Sequence, residues 1–149
     1  MNRSPAARLL AEEGAPRQLL RELHECLERG DQTVNKPTME LDDYTAYVEA
    51  NDRFHQLIMD GCGNSVLRRI MDMLDAMPFA SPSSMLPMQS SMEEGQQWMR
   101  LAQRTHHAMV QAIERGQGSR AAAAGLHQPH LHGFVGVAAA AVRAVGQEG

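Results

Sequence analysis

The chain has 149 residues, of which 43% are apolar and 4% aromatic, which is typical of one globular domain and excludes a disordered chain. Its formal net charge of −4, from 14 basic and 18 acidic residues, disfavours a protein whose main ligand is nucleic acid. Apolar runs stay well short of the roughly 18 residues that span a bilayer, the first residues are too polar for a signal peptide, and Cys26 and Cys62 are isolated, so we expect a cytoplasmic protein without membrane contact.

The predicted elements are all helices, and the first two are marked by glycine. A short helix begins at Ser4, which precedes a proline, and Gly14 ends it. A second helix carries leucines spaced one, three and four apart and is predicted to end at Gly30. Residues 31–40 are predicted to be a loop.

The middle of the chain predicts two more helices and one irregular stretch. A third helix covers residues 41–60. A fourth covers residues 66–77, with Asn64 or Ser65 as its cap. Proline and serine then dominate residues 78–90, which are predicted to lack regular structure.

The last third predicts the longest helices. The spacing of a capping box at Ser91 begins a helix that ends before Gly116. A final, alanine-rich helix covers residues 119–145 and is interrupted by Pro129. The chain is therefore predicted to be all-α, an antiparallel bundle of six to seven helices.

Two of the seven histidines are predicted to point into the bundle. His55 follows Asn51 by four residues and Asp52 by three, so these side chains share a helical face with the imidazole. His106 belongs to an apolar stripe spaced three and four apart and must face inward, where an imidazole needs a partner. The adjacent His107 points about 100° away and is predicted to face solvent.

Further histidines in the last helix make a metal site possible on chemical grounds. His127 and His130 are three residues apart. Imidazoles combined with a carboxylate or amide oxygen suit Zn²⁺, Ni²⁺ or a similar ion. The alternative is that all these side chains are ordinary hydrogen-bonded core or surface histidines, and spacing alone leaves both interpretations open.

Two segments resemble a known family. YVEANDRFHQLIMDGCGNSVLRRIMDMLDAM (residues 47–77) and THHAMVQAIERGQGSRAAAAGL (residues 105–126) are similar to the FadR-type C-terminal domains (FCD) of GntR-family transcription regulators. The resemblance extends over residues 4–145. It implies a six- or seven-helix bundle that forms homodimers and senses a small molecule, usually an organic acid.

The resemblance also implies a divalent metal, which we expect to be zinc or nickel. Carried over residue by residue, the ligands fall on Asn51, His55 and His106, with Asp52 as an alternative oxygen donor. The fourth ligand is expected at His130, whose neighbouring leucine matches the family pattern, or alternatively at His127.

Family members usually carry a winged helix-turn-helix ahead of this domain. Here residues 1–149 are expected to form a single FCD-like domain, with DNA contact left to a domain that is not present in this chain. The favoured function is an effector-sensing and dimerising regulatory module that is not an enzyme, with the alanine-rich 119–145 helix as a dimer surface. The alternatives are a small metal-dependent helical enzyme and a structural module without a ligand.

Overall fold

The computed structural model describes residues 4–75 and 92–126, which form six α-helices and contain no strand. The predicted all-α bundle is therefore confirmed. The helices are α1 (Ser4–Glu13), α2 (Arg17–Val34), α3 (Leu41–Gly61), α4 (Ser65–Asp75), α5 (Met92–Glu114) and α6 (Gly118–Leu126).

The predicted ends of α1 and α5 are confirmed. Gly14 follows the last residue of α1 with a φ of +86°, and Gly116 follows α5 with a φ of +67°. Residues that carry a side chain rarely adopt this left-handed backbone conformation, whereas glycine adopts it at no steric cost. These two glycines therefore end their helices for the reason that the sequence suggested.

The predicted end of α2 at Gly30 is wrong, because the helix continues through Gly30 to Val34. Gly30 does not take the left-handed conformation that ends a helix. It instead allows close packing, since an added Cβ would lie 2.6 Å from the side-chain oxygen of Gln103 on α5. Residues 31–34 are therefore helical and not part of a loop, and Asn35 caps α2.

The starts of α3 and α4 have polar caps, of which the one at α4 was predicted. A reciprocal capping box links Glu40 and Asp43 at the start of α3. At the start of α4, the Asn64 side chain accepts a hydrogen bond of 2.9 Å from the Leu67 amide. The predicted irregular stretch at 78–90, the Ser91 cap and the part of the last helix beyond Leu126 lie outside the described residues.

Helix directions explain how distant residues meet. Interactions join Glu22 to Arg53 and Arg29 to Glu49, so α2 and α3 run antiparallel. Histidine–carboxylate pairs join His24 to Glu114 and Asp31 to His107, so α2 and α5 are antiparallel as well. As a result α3 and α5 run in the same direction, and residues near the middle of each lie at the same level.

Among the described residues, the interior has two apolar clusters. The larger one receives side chains from all six described helices, and Leu23, Ile58 and Met109 in it are fully buried. The smaller one lies at the level of the α2–α3 connection and contains Tyr47 and Met99. Burying side chains of this size stabilises the fold by about 1.5–3 kcal/mol each. In the described part of the chain, no helix is both long and apolar enough to cross a bilayer.

Candidate functional site

The histidines predicted to face inward meet in the bundle interior. His55 on α3 is 3% exposed and His106 on α5 is 2% exposed. Their ring centroids are 5.0 Å apart, with the ring planes at 78°. His107 is half-exposed, as predicted, and its imidazole lies 2.9 Å from the Asp31 carboxylate.

Phe54 forms an aromatic wall beside this pair. Its centroid lies 4.3 Å from that of His106, with the rings tilted by 31°, and 5.5 Å from that of His55, edge on. Phe54 is only 1% exposed, so its ring keeps water from that side of the histidines. Such contacts hold an imidazole in one orientation, which a preorganised ligand site needs.

Asn51 lies one turn before His55 on α3 and is also buried, at 7% exposure. Residues four apart on a helix are neighbours on one face. The Asn51 side chain therefore lies on the same side of α3 as the His55 imidazole. Asn51, His55 and His106 are called the α3–α5 polar cluster below.

The spacing of the two imidazoles fits a shared divalent ion. A ligating nitrogen lies about 2.1 Å from Zn²⁺, so the ring centre lies roughly 3.2 Å from the ion. Two such rings about 90–110° apart have centres roughly 4.5–5.3 Å apart. The observed 5.0 Å between His55 and His106 falls in this range, although it also suits an edge-to-face aromatic pair without an ion.

The structure does not bring a complete predicted ligand set together. His127 and His130 lie outside the described residues, so the predicted fourth ligand stays a prediction. Within the described ranges, no three residues among histidine, cysteine, aspartate and glutamate are grouped as a metal site would require. Asn51 is an amide and does not belong to that set.

Asp52, the alternative oxygen donor, is exposed. It lines a groove of about 280 Å³ between α3 and α4, together with Gln56, Met59, Asp60, Arg68, Met71 and Asp72. Asp60 in this groove pairs with Arg68 at 2.6 Å. Because Asn51 is buried and Asp52 is exposed, Asn51 is the better candidate for an oxygen donor that faces inward.

Tyr47 lies on α3 one turn before Asn51. Tyr47, 1% exposed, donates a hydrogen bond of 3.3 Å to the main-chain oxygen of Met99. Burial, with a smaller contribution from the Asp31 carboxylate, raises the pKa of Tyr47, so the phenol stays protonated and acts as a donor. Asp43 is the only buried carboxylate among the described residues, and Lys36 and the Glu40 amide already bind it.

Sequence reasoning missed a second polar stripe on α5. Gln96 and Arg100 both donate hydrogen bonds to the main-chain oxygens of Val34, the last residue of α2, and of Lys36 just beyond it. Gln103 donates a hydrogen bond to the main-chain oxygen of Leu27. The spacing of four and three along α5 was the available signal, because it places all three side chains on one face. These contacts fix the position of α5 along α2 and therefore the position of His106 along the bundle axis.

One comparison with known proteins gives a match. The family model described as FCD domain matches residues 4–128. No curated protein matches the chain. The matched range includes the α3–α5 polar cluster and all six described helices.

Proposed function

The chain belongs to the FCD domain family, and on this premise we propose that it is the effector-sensing and dimerising domain of a GntR-type transcription regulator. The proposed effector is a small organic acid, and the proposed site is the α3–α5 polar cluster. The observation that carries the proposal is the buried pair of imidazoles 5.0 Å apart, with a buried amide one turn away. FCD domains belong to regulator families, which favours a regulatory role over the alternative of a metal-dependent enzyme.

A divalent metal, zinc or nickel, is part of the proposal. Asn51, His55 and His106 would hold it, with His130 favoured over His127 as the further ligand. A metal bound there would supply a Lewis-acidic anchor for an effector carboxylate. Phe54 excludes water from one side of the cluster, so a charged contact made there is less screened than it would be at the surface.

Regulation follows from the placement of the cluster on two different helices. His55 belongs to α3 and His106 to α5, so an effector that contacts both sides favours one spacing of the two helices. The effector can shift the equilibrium only by the difference between its affinities for the two arrangements. Such helix shifts are a common way for a sensor domain to reposition what is attached to it.

Metal titration of the isolated chain tests the site. After chelation, wild-type protein should take up about one Zn²⁺ or Ni²⁺ per chain by calorimetry. Free metal at about 100 times its Kd should add about 2.7 kcal/mol to the free energy of unfolding. His55→Ala and His106→Ala should each lose most of this gain, whereas the matched control His107→Ala, on the exposed side of α5, should keep it. Stoichiometric metal in the His55/His106 double variant would refute the site assignment.

We also propose a homodimer, and α4 offers a described surface that supports it. Val66, Ile70 and Met73 are 66%, 49% and 65% exposed. Their spacing of four and three places them on one face of α4. An exposed apolar stripe of this kind is typical of an interaction surface. The 119–145 helix, which the sequence suggested as a dimer surface, lies largely outside the described residues.

Light scattering tests the dimer. Wild-type chain at tens of micromolar should have the mass of a dimer, and Ile70→Asp should shift it toward monomer. Leu101→Asp introduces the same charge at a similarly exposed leucine of α5 and serves as the control. A wild-type chain that is monomeric at this concentration would refute the proposal.

The buried, free state of Cys26 and Cys62 is compatible with the proposed cytoplasmic location.

A further inference from the structure

One face of α5 is covered near the end of the helix and open near its start. Ala112, Thr105 and Trp98 follow one another at intervals of seven residues, which is close to two helical turns, so they lie on the same face. Ala112 is 3% exposed, Thr105 is half-buried and Trp98 is 45% exposed. Leu101, which lies between Thr105 and Trp98, is 47% exposed. Trp98, Leu101 and Thr105 are called the Trp98 face below.

The packing of α6 explains where the cover ends. Residues 115–117 connect α5 to α6, and the Gln117 amide donates a hydrogen bond of 2.8 Å to the Ala112 oxygen. Both α1 and α6 pack against α5, and so short a connection sends α6 back along it. The 9 residues of α6 span about 13 Å, which reaches back only to about Thr105. The Trp98 face therefore lies beyond the described end of α6.

The Trp98 face is suited to an apolar partner. Its one polar side chain, Thr105, donates a hydrogen bond of 3.1 Å to the main-chain oxygen of Leu101 and needs no further acceptor. Trp98 and Leu101 are among the large apolar side chains that the described structure leaves exposed. An exposed apolar surface of this kind is typical of a contact with another segment or chain.

The sequence that follows α6 has the composition of such a partner. Residues 127–142 contain no aspartate, glutamate, lysine or arginine, so they can be buried on an apolar surface without removing a charge from water. The sequence predicts a helix here. Within it, an apolar stripe has helical spacing, and its members are Leu131, Phe134, Val135, Ala138 and Val142.

We propose that residues 131–145 of this chain pack along α5 and cover the Trp98 face. The seven residues from Thr105 to Trp98 span about 10 Å, whereas fifteen helical residues span about 22 Å, so the segment is long enough even with a bend at Pro129. The family match ends at residue 128, before this segment begins. The inference goes beyond the proposed function and does not depend on the proposed metal site.

A second copy of the chain is the other candidate occupant. A segment joined to the end of α6 by a few residues is present at an effective concentration of about millimolar. A second copy in solution is far more dilute at micromolar protein, so the attached segment occupies the face first. The exposed stripe of α4 then remains available for the proposed dimer.

Fluorescence of the full chain tests the packing, because Trp98 is its only tryptophan. Phe134→Asp places a charge on the apolar stripe, so the emission of Trp98 should move to longer wavelength and acrylamide should quench it more strongly. Ala140→Asp adds the same charge on the opposite side of the predicted helix and should leave both readings as in wild type. Circular dichroism confirms that each variant is helical.

A double-mutant cycle tests the contact by a second measurement. Leu101→Ala and Phe134→Ala should each lower the midpoint of urea unfolding, and the two together should lower it by less than the sum, because they remove the same contact.

Three results would overturn the proposal. The first is additive midpoints in the cycle, and the second is emission of Phe134→Asp that equals that of wild type or of Ala140→Asp. The third is shielding of Trp98 that disappears on dilution as the dimer dissociates, which would assign the face to a second copy.

Discussion

Replacing Gly30 by alanine should destabilise this protein, although the same change in a helix interior usually stabilises. Gly30 lies inside α2, where alanine is ordinarily favoured by about 0.5–1 kcal/mol. Here an added Cβ would lie 2.6–2.8 Å from the amide end of Gln103. That end is not free to move, because Gln103 is 4% exposed and donates a hydrogen bond of 2.7 Å to the Leu27 oxygen.

The size of the effect follows from these contacts. Displacing the Gln103 amide leaves a buried donor without its acceptor, at about 1–3 kcal/mol. After the helical gain is subtracted, Gly30→Ala should lower the free energy of unfolding by about 0.5–2 kcal/mol. In a Gln103→Ala background the space is empty, so Gly30→Ala should raise the free energy of unfolding by about 0.5–1 kcal/mol.

Urea unfolding of the four proteins of this double-mutant cycle, followed by circular dichroism at one protein concentration, provides the measurement. The expected coupling between the two positions is about 1–3 kcal/mol. If Gly30→Ala stabilises the wild-type background, or has the same sign in both backgrounds, the amide contact does not explain why glycine stands at this position.

Three further predictions concern single groups. The hydrogen bond from Lys36 is the main cause that lowers the pKa of Asp43 below its ordinary 3.8, so Asp43→Asn should reduce the free energy of unfolding near neutral pH. The difference from wild type should begin to shrink below about pH 4 and be lost as the pH falls through the lowered pKa of Asp43. Tyr47→Phe removes the hydrogen bond to the α5 main chain and should lower the free energy of unfolding by about 0.5–1.5 kcal/mol in urea titrations; an unchanged midpoint would contradict that bond. Cys26 and Cys62 are buried, and burial raises the pKa of the Cys26 thiol, so both should react with a thiol reagent only after unfolding; rapid labelling of native protein would contradict their placement.

Local signals predicted most helix ends, and the failure at α2 shows their limit. Gly14 and Gly116 end helices because a left-handed residue is needed there, and that requirement is local. Glycine is needed at position 30 because the Gln103 side chain packs against it, and Gln103 lies more than seventy positions away. The sequence around Gly30 therefore gives no sign of this contact. The same glycine signal therefore gave two correct ends and one wrong end.

The candidate site was predictable in its parts but not in its geometry. The apolar stripe on α5 predicted that His106 faces inward, and the spacing from Asn51 placed His55 on a shared face. Their approach to 5.0 Å depends on α3 and α5 running in the same direction, which is decided by how both pack against α2. Phe54 was missed because a phenylalanine beside a histidine gives no sequence signal that separates a site wall from ordinary core.

The contacts between α5 and the end of α2 have a consequence for how a signal could leave the site. Gln96 and Arg100 bind carbonyl groups that the last turn of α2 would otherwise leave without partners. A slide of α5 along α2 would break these bonds and release the Gln103 amide at the same time. We therefore expect any displacement of α5 to be passed to the C-terminal end of α2, because the two helices are joined there by these bonds.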